Sequence, residues 1–255
     1  MAVPYLRLDP NQIIETVDVL TRRIRERFPD ANLNKVCQSL LEVAKQAQVR
    51  SKQIDRPMHT LRLMTLLFIA AVVSVFIVIY RKFRLEDTHF GLEDLLQMCD
   101  AGFQTLVLVG ATIVFLTTLE SRVKRRRCLQ AIHELRSIAH IIDMHQLTKD
   151  PDRLILLGPD TKSSPQRLMS AFELTRYLDY CIEMLSLAGK IAALYIQHFE
   201  DPEAVSAVND LEDLTSGLSR KIWQKIMVLP AVASELSKND APAASILEPS
   251  NDTSG

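Results

Sequence analysis

The chain has 255 residues and a formal net charge of -1, so it carries no bulk positive charge for a nucleic-acid partner. Only 7 glycines and 6% aromatic residues, against 47% hydrophobic residues, fit a helical protein better than a β-sandwich or barrel. Four cysteines at 37, 99, 128 and 181 are widely separated with no C-x-x-C, which excludes a disulfide scaffold and a zinc cage of ordinary spacing.

The opening MAVPYLRLDPNQIIETVDVL has no basic n-region, no continuous apolar core and no small-residue cleavage site, so no removable leader is expected. It is also not the Arg- and Ser-rich pattern of an organellar presequence, which favours a bacterial plasma membrane. Asp9-Pro10 starts a helix, Asp9 as cap and Pro10 at the first helical position, where its missing N–H costs nothing. That helix should run to about Arg27, burying Ile13, Val17, Leu20 and Ile24, and stop before Pro29. A second, from about Asn32 to Ile54, repeats Leu33, Val36, Leu40, Val43 and Ala47 at 3-4-3-4 spacing. The two are expected to pair as an antiparallel hairpin within residues 1–57.

From Leu63 to Tyr80 the chain holds 18 residues with no charge and only Thr65 and Ser74 polar. At about 1.5 Å per residue such a helix nearly crosses a hydrocarbon core of about 30 Å, and flanking arginines extend it by snorkelling. A transmembrane helix is expected at 61–81. A second is expected at 101–119, where AGFQTLVLVGATIVFLTTL is uncharged and its threonines can bond to carbonyls of the preceding turn. Residues 82–100 between them are expected to form a short external loop.

Orientation follows from the basic residues. Arg50, Lys52, Arg56 and Arg62 precede the first span, and Arg122, Lys124, Arg125, Arg126 and Arg127 follow the second, while the loop has only Arg81, Lys82 and Arg84. Both termini should therefore be cytoplasmic, and the sequon Asn251-Asp252-Thr253 should stay unmodified. The run from Arg122 to Arg127 is a topology anchor and the expected contact with lipid headgroups. Ala70 with Ser74, and Gly102 with Gly110, are small residues that permit close helix packing.

Past the second span no helix breaker occurs before Asp150-Pro151, and Ile132, Leu135, Ala139 and Ile142 keep a 3-4-3 stripe. The span should continue as one long helix. On it, His133 and His140 share a face and Asp143 lies one turn beyond His140, a weak two- or three-ligand metal pattern. His145 points elsewhere. The bland alternative is a polar flank with a hydrogen-bonded His–Asp pair, and no resident metal or other cofactor is expected.

Residues from about 147 to 164 read as a loop with a short apolar piece at Leu154 to Leu157. Ser164-Pro165 should start a helix reaching Phe199 with two apolar stripes. One runs Ala171, Leu174, Leu178, Cys181, Leu185, Ala188, Ala192, Tyr195 and Phe199; the other Tyr177, Tyr180, Met184, Leu187, Ile191 and Leu194. Two apolar faces imply neighbours on both sides, in the centre of a bundle or at an oligomer interface. Asp201-Pro202 starts a last helix that should bury Val208, Leu211, Leu218 and Ile222 and end at Pro230. A disordered tail is expected over 231–255.

The fold class read from these features is an all-α membrane protein. A two-helix transmembrane hairpin carries a cytoplasmic bundle made of the N-terminal helix pair, the extension of the second span and two C-terminal helices, the last three within 120–230. Its expected partners are membrane lipid, further copies of itself and a cytoplasmic protein, with no nucleic acid. The expected function is a non-enzymatic scaffold, oligomerisation or docking module. Two alternatives are a small channel or transport subunit lined by Thr105, Thr112 and Thr117, and a metal-dependent enzyme at His133, His140 and Asp143. The absence of any Asp, Glu, Lys, Arg or His within either span argues against proton-coupled transport.

Overall fold

The structure, a computed structural model, describes residues 7–83, 92–149, 162, 169–197 and 199–239. Among them every regular element is a helix: α1 Pro10–Arg27, α2 Leu33–Asp55, α3 His59–Phe83, α4 Leu92–Leu147, α5 Ala171–Ile196 and α6 Pro202–Asn239. α3 and the apolar part of α4 are each long and apolar enough to cross a membrane. The chain divides into two compact units, Lys52–Gln130 and the remainder, Met1–Ser51 with Ala131–Gly255.

In the larger unit α1 begins where the proline predicts. Asp9 stays extended and its side chain accepts from the Asn11 N–H at 2.8 Å, and Ile13, Val17, Leu20 and Ile24 are all buried. α2 runs antiparallel to α1. Thr21 near the end of α1 meets Cys37 near the start of α2, and Gln48 bonds back to Asn11. Leu33, Val36, Leu40 and Ala47 are buried as expected, whereas Ala44 takes the buried place expected of its neighbour Val43, which is half-buried. Thr21 Oγ1 donates to Val17 O at 2.8 Å and lies 3.2 Å from Cys37 Sγ. Its single hydrogen is thereby used, and the thiol is the donor of that pair.

The double-striped helix lies inside the bundle. Every residue of the second stripe of α5 and the run from Leu174 to Tyr195 of the first are buried within the single chain, so α5 needs no second copy to cover it. Its start differs from the expectation. Among the described residues it begins at Ala171, because Ser170 caps Glu173 N–H while the Glu173 carboxylate bonds back to the Ser170 N–H at 2.8 Å. It stops at Ile196 rather than Phe199, since Asp201 must be extended ahead of Pro202 and caps α6 through the N–H groups of Glu203 and Ala204. α6 packs along α5 and buries Val208, Leu211, Leu218 and Ile222.

α6 does not end at Pro230 but runs on to Asn239, so residues 231–239 are helical rather than tail. A proline removes one intrahelical bond and crowds one carbonyl, and the Ala, Glu and Leu that follow it favour helix strongly enough to continue. The expected short apolar piece Leu154–Leu157, the start at Ser164-Pro165 and the tail from 240 onward lie outside the described residues.

In the smaller unit helix enters both ends of the stretch 82–100. α3 extends through Phe83 and α4 already begins at Leu92, since no proline or glycine interrupts residues 92–101. Half-buried Leu61, Thr65, Phe68 and Val72 recur at 4-3-4 spacing along one face of α3. The small residues do not make a close contact. Ala70 and Ser74 are exposed, and a methyl group built at Gly102 or Gly110 meets nothing within 4 Å.

Candidate functional site

The polar chemistry of the smaller unit centres on Glu120, one residue past the apolar stretch of α4. Its carboxylate accepts from the Met58 N–H at 3.2 Å, from Arg62 Nε at 3.3 Å and from Lys124 Nζ at 3.0 Å. Met58 precedes α3 and Arg62 lies in its first turn, so this carboxylate ties the beginning of one apolar helix to the end of the other.

Glu120 also sorts the basic run. The Lys124 side chain is only 13% exposed and its ammonium is held by Glu120. Arg125 is half-buried and already engaged, whereas Arg122, Arg126 and Arg127 are exposed. Arg50, counted among the topological residues, bonds Glu134 at 2.7 Å, and that bond raises its guanidinium pKa.

The histidine stretch lies in the larger unit. His133 and His140 are exposed on α4, and Asp143 is half-buried but does not pair with His140. Its Oδ1 accepts from Gln146 Nε2 at 2.7 Å, and Gln146 Oε1 in turn accepts from Lys225 Nζ of α6 at 2.8 Å. The carboxylate thus belongs to an α4–α6 tie. The sequence reading overlooked Gln146, one turn past Asp143 and buried, where an unpaired amide would be costly. Among the described residues no three His, Cys, Asp or Glu side chains converge as a metal site would need.

A second cluster went unread in the sequence. Phe28, just past α1, meets Tyr177 and Tyr180 of α5 edge-on at centroid distances of 5.6 and 6.3 Å. Arg23 and Arg176 lie over the Tyr180 ring and Lys149 over Tyr177, at 5.3, 5.9 and 5.5 Å, while Arg23 also bonds Glu183 at 3.1 Å. Its signal was the pair Tyr177 and Tyr180 one turn apart, but the partners come from elsewhere in the chain. Nearby, an open groove of about 700 Å³ between α1 and α5 is lined by Arg7, Asp9, Glu183 and Lys190 among others, charges of both signs.

The buried thiols are not poised for chemistry. Burial pushes Cys37 up to about 11 and Cys181 up to about 12, which keeps both as neutral core groups at physiological pH. In the apolar part of α4 the Thr105 and Thr112 hydroxyls donate to Ala101 O and Leu108 O at 2.7 and 2.8 Å, so their protons are used within the helix, and the Thr117 side chain lies outside the described residues. No known family profile matches this chain, and no curated protein or solved structure is significantly similar to it.

Proposed function

We propose that this is an integral membrane protein of a plasma membrane, with α3 and the apolar part of α4 spanning as a hairpin and both termini cytoplasmic. Its helical bundle acts as a self-association module. One observation carries the second statement. Large apolar side chains are left exposed one turn apart on each of two helices of the bundle: Met144 and Leu147 of α4 at 67% and 62%, and Trp223 and Met227 of α6 at 54% and 61%. Large exposed apolar side chains, with a tryptophan among them, are typical of a surface that a partner covers. α5, the other candidate for an interface, is consumed inside the bundle.

The test is the mass of the detergent-purified full-length protein. Wild type should run at a multiple of 28.9 kDa after correction for detergent, and Met144→Lys with Met227→Lys should return it to one chain with its helix content kept. A wild type at single-chain mass would contradict self-association and leave docking of a cytoplasmic protein as the use of that surface. The channel alternative gains no observation of its own from the threonines, and the metal-enzyme alternative none from His133, His140 and Asp143.

A further inference from the structure

The basic run after the second apolar stretch is not one uniform anchor. Glu120 and Lys124 lie on the side of α4 that is tied to Met58 and Arg62. Arg122 and Arg126 lie on the other side, one turn apart, at positions separated by about 40° around the helix. The same side continues down the apolar stretch. Leu108, Phe115 and Arg122 follow one another at seven-residue steps, which drift by only about 20° each, and Leu108 and Phe115 are 69% and 55% exposed.

One face of one helix therefore presents a leucine, a phenylalanine and then two guanidinium groups in axial order. Acyl chain, glycerol and phosphate follow in that order in a phospholipid. Two arginines one turn apart offer forked donors to a single phosphate, and their double positive charge favours a lipid with net negative charge. We infer that Arg122 and Arg126 form a headgroup site for an anionic phospholipid whose acyl chain lies along Phe115 and Leu108. Lys124, held by Glu120, and Arg127, on the opposite side, take no part. This rests on the membrane-spanning reading above.

The experiment reconstitutes the full-length protein in nanodiscs of phosphatidylcholine with a minority of phosphatidylglycerol, and measures the phosphatidylglycerol retained on extraction into detergent. Wild type should retain it several-fold above its bulk fraction. Arg122→Gln with Arg126→Gln should fall to the bulk fraction with helix content unchanged, and Arg127→Gln should behave as wild type. Equal enrichment in the double variant, or equal loss in Arg127→Gln, overturns the assignment. So does displacement of the lipid by millimolar inorganic phosphate, which marks a site for a free anion. Failure of wild type to enter nanodiscs overturns the spanning reading itself; entry without enrichment overturns only the lipid site.

Discussion

Leu185→Ala tests the packing account at its centre. Leu185 lies midway along α5 with 0% exposure. Cutting its isobutyl group back to a methyl loses the transfer free energy of the removed carbons and leaves a cavity that tightly packed neighbours fill incompletely. Such sites lose about 3–5 kcal/mol, a large share of the roughly 5–15 kcal/mol that holds a domain together. For a bundle of this size that corresponds to a fall in melting midpoint of about 6–20 °C. Far-UV circular dichroism of the protein in mild detergent, scanned at two rates to expose irreversible unfolding, reads the shift. Two controls locate the effect. Leu185→Met keeps volume and should cost less than about 1.5 kcal/mol. Phe172→Ala, on the same helix but 62% exposed and 5.3 Å from Arg27, should cost no more than about 1 kcal/mol. A Leu185→Ala midpoint within about 2 °C of wild type, or an equal loss in Phe172→Ala, would refute the buried double stripe.

Gly189→Ala should raise the melting midpoint, by the equivalent of up to about 1 kcal/mol, because the new methyl meets Thr215 Oγ1 and Glu212 Cγ at ordinary distances of 3.7 and 3.8 Å and a helix-interior glycine is lost; a fall would show a tighter α5–α6 seam. Alkaline stability depends on Cys37 and Cys181, whose thiol pKa values rise from 9.0 in the unfolded chain to about 11 and about 12 in the bundle. Raised folded values mean that their contribution is full below pH 9 and is lost as pH climbs through 11 and 12, since the unfolded chain ionises first. Cys37→Ala with Cys181→Ala should therefore flatten the fall of urea-unfolding free energy above pH 9, and an unchanged slope would contradict this account. His140→Gln, at an exposed position, should leave melting and metal content as in wild type; near-stoichiometric zinc, iron or manganese in wild type, lost here but kept in His145→Gln, would establish the metal reading instead.

What could be read in the sequence followed from local rules. Asp9-Pro10 and Asp201-Pro202 both start helices where cap and proline chemistry require, and the 3-4 spacing of α5 identifies its buried residues. Errors arose where two local rules compete. The reciprocal capping box of Ser170 and Glu173 opens α5 at Ala171, inside the stretch that apolar spacing alone reads as uninterrupted helix. Pro230 carries a local stop signal, and the helix-forming residues after it outweigh that signal. The smaller unit misled in another way, because small residues permit close packing without requiring it. The role of Glu120 was not legible at all. Its partners Met58 and Arg62 lie 62 and 58 residues away, beyond the reach of any local rule.

The most direct test of the membrane hairpin uses the cysteines already present. Cys99, in the second turn of α4, is exposed, whereas Cys37, Cys128 and Cys181 are buried. A membrane-impermeant maleimide applied to intact cells should label wild-type protein at Cys99 alone, and Cys99→Ser should abolish the label. Labelling of Cys99 only after permeabilisation would place the connection between α3 and α4 inside, and would contradict a hairpin with both termini in the cytoplasm.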